Sequence, residues 1–255
     1  MPTVSAGRNE LYYAVSRGDG PGVVLIHGAG GSHLAWPPEL RRLPGATVYA
    51  IDLPGHGRSS GEGRDSIGDY ARDVLSLMDG VGREEALLVG HSMGGAIAQM
   101  VALIAPRRVT GLLLLGTGAR LQVSDAILDG LETQFDETVA AISKWSWGPE
   151  ADPEWVAQGR QMMVEAGPEV LRRDFIACNR FDVRDRLDEI PAPTRVLTGE
   201  EDRMTPPRLG RSLADDIPGA SFSLVPGAGH MVMLERPAEV VAVATALMAQ
   251  LKGGQ

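Results

Sequence analysis

The sequence predicts an α/β fold: a mostly parallel central sheet of about eight strands, helices on both faces, and a helical cap. Three observations carry this. Short apolar runs alternate with helical patterns along most of the chain. One of these runs, Ala86–Gly90, passes through Gly90-His91-Ser92-Met93-Gly94 into a helical pattern, which reads as a sharp strand-to-helix turn. One long stretch, Leu121–Leu187, carries no strand signal and interrupts the alternation.

The strand runs are Leu11–Val15, Val23–His27, Thr47–Asp52, Ala86–Gly90, Val109–Gly116, Thr194–Thr198 and Ser221–Val225. The first strands are short and close together, so an antiparallel hairpin is expected at the N-terminus. Helical patterns cover Leu34–Arg41, Ile67–Asp79, Met93–Ile104, Arg208–Ile217 and Pro237–Leu251, with Pro237 suited to a first helical turn. The strandless stretch holds Trp145, Trp147, Trp155 and the pair Met162-Met163. An insertion of this length after a central strand reads as a cap, one too short to form its own core. The expected division is a core of residues 1–118 and 192–255 with a cap over 119–191.

At 255 residues the chain is long enough for one large domain. A net charge of −9 argues against nucleic acid or an anionic membrane as partner. A single cysteine, Cys178, rules out an intramolecular disulfide and fits a reducing compartment. It reads as a small buried side chain. Met1–Tyr12 lacks the apolar core of a signal peptide, and no apolar run approaches the roughly 18 residues of a membrane helix. A cytoplasmic protein, a monomer or small homo-oligomer, is expected.

A serine hydroxyl needs exposure, a base and an anion-stabilising site before it can act as a nucleophile. The Gly90-His91-Ser92-Met93-Gly94 turn supplies the exposure at Ser92. His230, in a glycine-rich loop just past the last strand, is the candidate base. A carboxylate must orient it, and Gly199-Glu200-Glu201-Asp202 offers three. Asp202, beyond the tight turn, is chosen, with Glu200 as the alternative. The loop His27-Gly28-Ala29-Gly30-Gly31 can turn amides toward the site. The Met93 amide and the Ala29 amide are the expected oxyanion donors. The loop lacks the spacing of a nucleotide-binding loop.

His27 reads as structural, bonding loop backbone. His33 and Trp36 read as lining the entrance or packing the first helix. Asp52 and Arg58 read as tying down the loop after the third parallel strand. His91 neighbours Ser92, but adjacent residues on such a turn point apart, so no catalytic role is expected of it. The histidines have no metal-ligand spacing, so no metal and no cofactor are expected.

These motifs together resemble the α/β-hydrolase superfamily, and more narrowly its capped bacterial carboxylesterases with their lactonase and C–C hydrolase relatives. The resemblance rests on His27-Gly28-Ala29-Gly30, on Asp52 through Ser59, on Gly90 through Gly95, on Gly199 through Asp202, and on Gly229-His230 with Glu235 and Pro237. The chain order Ser92, Asp202, His230 matches that fold's nucleophile, acid and base. Ser92 stands where dehalogenases and epoxide hydrolases have aspartate. Met231 stands where many ring-cleavage C–C hydrolases have tryptophan. Ala29 stands where perhydrolases often have an aromatic residue.

The expected activity is cleavage of small-molecule carboxylic esters through an acyl-enzyme on Ser92, with short to medium acyl chains preferred. The expected pocket residues are Trp145, Trp147, Met162, Met163 and Met231. The alternatives are a lactonase or diketone hydrolase with the same triad, and a non-catalytic ligand receptor on the same fold.

Overall fold

The computed structural model describes residues 2–253. Its eight strands are β1 (Thr3–Ala6), β2 (Asn9–Ser16), β3 (Gly22–Ile26), β4 (Thr47–Ile51), β5 (Ala86–His91), β6 (Val109–Leu115), β7 (Thr194–Gly199) and β8 (Ser221–Val225). They form one sheet in the order β1-β2-β4-β3-β5-β6-β7-β8. The expected N-terminal hairpin is β1–β2, and β2 also runs antiparallel to β4. The remaining pairs are parallel.

The central strands are apolar on both sides because helices cover both faces. Along β3, Val24 and Ile26 enter one core while Val23 and Leu25 enter the other. Leu112 and Leu114 of β6 likewise oppose Leu113 and Leu115. This is the two-residue period of a strand read out on two cores. The first core packs against α2 (Ile67–Gly80), α3 (Met93–Ile104) and α7 (Pro207–Asp216). The second packs against α1 (Pro38–Arg41) and α9 (Pro237–Gly253). Each fully buried leucine contributes on the order of 2 kcal/mol of transfer free energy.

The helix expected over Leu34–Arg41 is broken. A single 3₁₀ turn, His33–Ala35, precedes the short α1, because Pro37 and Pro38 cannot continue a helix and force the residue before each into extended backbone.

Between β6 and β7 lie α4 (Asp125–Thr133), α5 (Phe135–Ser146) and α6 (Pro153–Arg180). The last is two helices across a kink at Gly167, whose φ of 81° and ψ of 167° suit glycine alone, with Pro168 opening the second half. This insertion was expected to lack a core of its own. Instead, Leu131, Val139, Ile142, Leu171 and Phe175 form a buried cluster, and Ala29 and Met204 pack against it. The helices therefore carry an apolar seam that also reaches the loops at the carboxyl ends of β3 and β7.

Candidate active site

Ser92 sits between β5 and α3 with φ 53° and ψ −117° and is the only non-glycine residue of positive φ among the described residues. Such backbone costs about 1–3 kcal/mol and persists only where the surroundings enforce it. Here the Ser92 amide donates to Leu115 O at 2.9 Å, and its carbonyl accepts from the Thr117 hydroxyl at 2.9 Å. A Cβ on Gly94 would lie 2.0 Å from Ile26 O, so only glycine lets α3 start this close to β3. The turn presents the Ser92 side chain at the carboxyl edge of the sheet, where open α/β sheets bind ligands.

His230 lies in the loop between β8 and α8 (Val232–Glu235). Its Nδ1 is 2.9 Å from Asp202 Oδ2 and 3.1 Å from the Thr205 hydroxyl. Asp202 Oδ1 accepts the Met204 and Thr205 amides at 2.9 and 2.8 Å, and Oδ2 accepts the Thr205 hydroxyl at 2.8 Å. Burial pushes the Asp202 carboxyl up, but the adjacent His230 and the Thr205 donors outweigh it and hold the carboxyl below the usual range. Glu200, the alternative acid, is exposed and its carboxylate faces the Gly227 amide at 3.4 Å.

Ser92 and His230 line one cavity of about 80 Å³, together with Ala29, Trp147, Met162, Met163 and Met231. Trp145 is not on this cavity. It stands 40% exposed on a second, larger groove of about 640 Å³ that Ser92 also lines. Trp147 follows the end of α5 in extended backbone, so the two tryptophans face different sides. Ile142, Phe175, Cys178 and Met204 also line the cavity and were not anticipated. Phe175 and Cys178 are three apart on α6, a spacing that shares one helix face. Cys178 is buried, and burial pushes its thiol well above the usual value.

Ala29 lies at the cavity wall, and no acceptor for its amide is present among the described residues. Met93 is the first residue of α3, so its amide is among the donors that a helix leaves unpaired.

His91 supports the loop that carries His230. Its ring packs 4.7 Å from that of His230, and its Nε2 donates to the His230 carbonyl at 3.0 Å. Burial, then the neighbouring His230, lower its pKa to about 3, so the ring is neutral. Glu235 accepts the Gly148 and Gly229 amides at 2.9 and 3.0 Å, joining the Trp147 loop to the His230 loop.

The remaining polar groups build the loops. His27 Nδ1 donates to Gly28 O at 2.8 Å and Nε2 accepts the Leu53 amide at 3.1 Å. Burial lowers its pKa to about 4. Asp52 accepts the His33 amide at 2.6 Å, the His33 ring at 2.8 Å and the Arg58 amide at 2.9 Å. His33 thus belongs to the Asp52 loop rather than to the entrance, and the same carboxylate holds the Arg58 amide. Among the described residues no cluster of three or more His, Cys, Asp or Glu is placed to hold a metal ion. No described helix is long and apolar enough to cross a membrane.

Comparison with known proteins agrees with this architecture. The alpha/beta hydrolase family matches over residues 23–243. A protein of Azorhizobium caulinodans, provisionally named a carbamate hydrolase, is 31% identical over 90% of this chain and 91% of its own. The structure of a thermophilic esterase superposes with a TM-score of 0.87 at 31% identity, covering 98% of this chain and 97% of its own. The enol-lactonase of Burkholderia xenovorans LB400 superposes with a TM-score of 0.90 at 26% identity, covering 97% of this chain and all of its own. With its sheet order, its serine turn and a family match across most of its length, the chain belongs to the α/β-hydrolase family.

Proposed function

We propose that the chain is a serine hydrolase cleaving carboxylic esters through an acyl-enzyme on Ser92. The observation that carries this is the His230 Nδ1–Asp202 Oδ2 contact of 2.9 Å, made by a histidine that shares its cavity with Ser92. A carboxylate on Nδ1 keeps the proton there and leaves the Nε2 lone pair free. His230 takes the Ser92 hydroxyl proton as the oxygen attacks the ester carbonyl. The Ala29 and Met93 amides receive the developing oxyanion. His230 then passes its proton to the departing alcohol. Water, deprotonated by His230, attacks the acyl-enzyme; the acyl–Ser92 Oγ bond breaks, His230 returns the proton to Oγ, and the acid is released. Asp202 remains a carboxylate throughout and stabilises the imidazolium.

Trp147, Met162, Met163 and Met231 give the cavity an apolar wall, which suits short to medium acyl chains. The likeness to the enol-lactonase supports a second reading, a lactone opened by the same steps. A panel of p-nitrophenyl esters of rising acyl length, run beside aliphatic lactones, tests the first reading. Short and medium esters are expected to turn over fastest. Lactone opening that exceeds every ester favours the second reading, and turnover of neither class sinks both.

A further inference from the structure

The larger groove that shares Ser92 has an unusual lining for an acidic protein. Arg120, Arg184, Arg203 and Arg208 stand on it, and no Asp or Glu among the described residues does. Arg184 holds Asp182 through two bonds of 2.8 and 2.7 Å, and Arg120 approaches the same carboxylate at 3.8 Å. The Arg184 hydrogen bond holds the Asp182 carboxyl down at about 2, so one firmly ionised acid serves two arginines. Arg203 and Arg208 make no ion pair or side-chain hydrogen bond among the described residues. The charge of Asp185 also acts on Arg184, so the rim keeps a surplus of about two positive charges by simple count, those of Arg203 and Arg208. Arg208 also lies in the first turn of α7, where the helix dipole adds to the positive potential.

Clefts lined by one sign of charge concentrate ligands of the other sign. Guanidinium forks match carboxylate and phosphate geometry in particular. The smaller apolar cavity, which shares Ser92, Phe175, Cys178 and Met204 with this groove, would strip an anion of its water, whereas the exposed arginines meet it hydrated. Trp145, Ile127 and Leu209 give the groove an apolar floor for the carbon frame that carries the charge.

We infer that the substrate's acyl part enters the apolar cavity while its alcohol part lies in the groove and ends in a carboxylate or phosphate held by Arg203 and Arg208. This rests on the ester-hydrolase reading and names the substrate class for it.

The test compares the butyrate ester of para-hydroxybenzoate with that of para-hydroxybenzamide, and repeats the comparison with a phenyl phosphate arm. The quantity read is the ratio of kcat/KM for the charged over the neutral ester, wild type against Arg203→Gln/Arg208→Gln. Intrinsic differences between the leaving groups cancel, since both proteins see the same esters. The double variant is expected to lower the ratio about tenfold for at least one charged arm. Salt at about 0.5 M is expected to lower it in the wild type and not in the variant. Arg186→Gln, at a surface pair with Glu189, is the control and should leave the ratio unchanged.

Calorimetry with unreactive amide analogues of the same compounds separates this inference from the reading beneath it. If no ester turns over but the charged amide binds the wild type more tightly and loses that advantage in the double variant, the ester reading falls and the anion groove stands. An unchanged ratio for both charged arms, equal binding of charged and neutral amides, or an equal drop in Arg186→Gln overturns the inference. So does a charge preference confined to hemisuccinate esters, which place the anion on the acyl side.

Discussion

Asp174, on α6, accepts the Gly30 amide at 2.9 Å and so ties the helical insertion to the loop that carries Ala29. The same carboxylate receives the Tyr70 hydroxyl and His56 Nε2, the latter at 2.8 Å. His56 Nδ1 lies 3.0 Å from Pro54 O, so both ring nitrogens face acceptors and the ring is an imidazolium. Burial pulls its pKa down, but the charge and hydrogen bond of Asp174 prevail and raise it.

Asp174→Asn removes one partner of this fully buried pair. Stability is expected to fall by about 3 kcal/mol or more, because an imidazolium is left without its counter-charge. Urea unfolding at neutral pH measures it. A midpoint equal to wild type would mean that the pair does not hold the insertion down.

His27 and His91 have folded pKa values of about 4 and about 3, below the ordinary value of 6.5. Below that ordinary value the unfolded chain binds protons at both positions and the folded chain does not. The stability these residues contribute is complete above pH 6.5 and is lost as pH falls toward 4 and 3. Each adds a slope of up to about 1.4 kcal/mol per pH unit across that window. Denaturation midpoints should therefore drop already between roughly pH 6 and 5, ahead of most carboxylates. His91→Gln should flatten the slope by one proton, and a wild-type profile level through that range would contradict the assignment.

The acid is separable from its neighbour by paired substitutions. Asp202→Asn is expected to lower kcat by several orders of magnitude, since the amide favours the wrong imidazole tautomer. Glu200→Gln should change little, because among the described residues the one hydrogen bond of that carboxylate is to the Gly227 amide, not to His230. The reverse ranking would move the acid to Glu200.

Much of this was legible in the sequence because the decisive signals are local. Ser92, Gly90 and Gly94 specify their turn within five residues. The strands that place His230 and Asp202 are short apolar runs with distinct ends. The broken first helix is legible too, in Pro37-Pro38, which cannot continue a helical turn. What the sequence hid depends on distant contacts. Nothing near Asp174 announces that it meets Gly30, His56 and Tyr70, and nothing near His91 announces a bond to the His230 carbonyl. Trp145 and Trp147 read alike, yet the helix ends between them and sends them to different cavities. The small core of the insertion was missed because its five residues are spread over three helices.

Cavity shape should govern acyl preference. Trp147→Ala or Met162→Ala, by enlarging the smaller cavity, is expected to shift the optimum toward longer acyl chains. Trp145→Ala should leave the acyl optimum in place and alter the response to the alcohol part. Chain-length profiles with p-nitrophenyl esters read both, and a shift caused by Trp145 alone would reverse the assignment of the two cavities.

The central claim is that a covalent acyl group forms on Ser92. Rapid acid quench during turnover of p-nitrophenyl butyrate, followed by peptide mass spectrometry, tests it most directly. The account predicts one butyryl group on the peptide containing Ser92, an initial burst of nitrophenol, and neither in Ser92→Ala, whose turnover falls by about 10³-fold or more. A butyryl group on another residue, or near-normal turnover by Ser92→Ala, would contradict it.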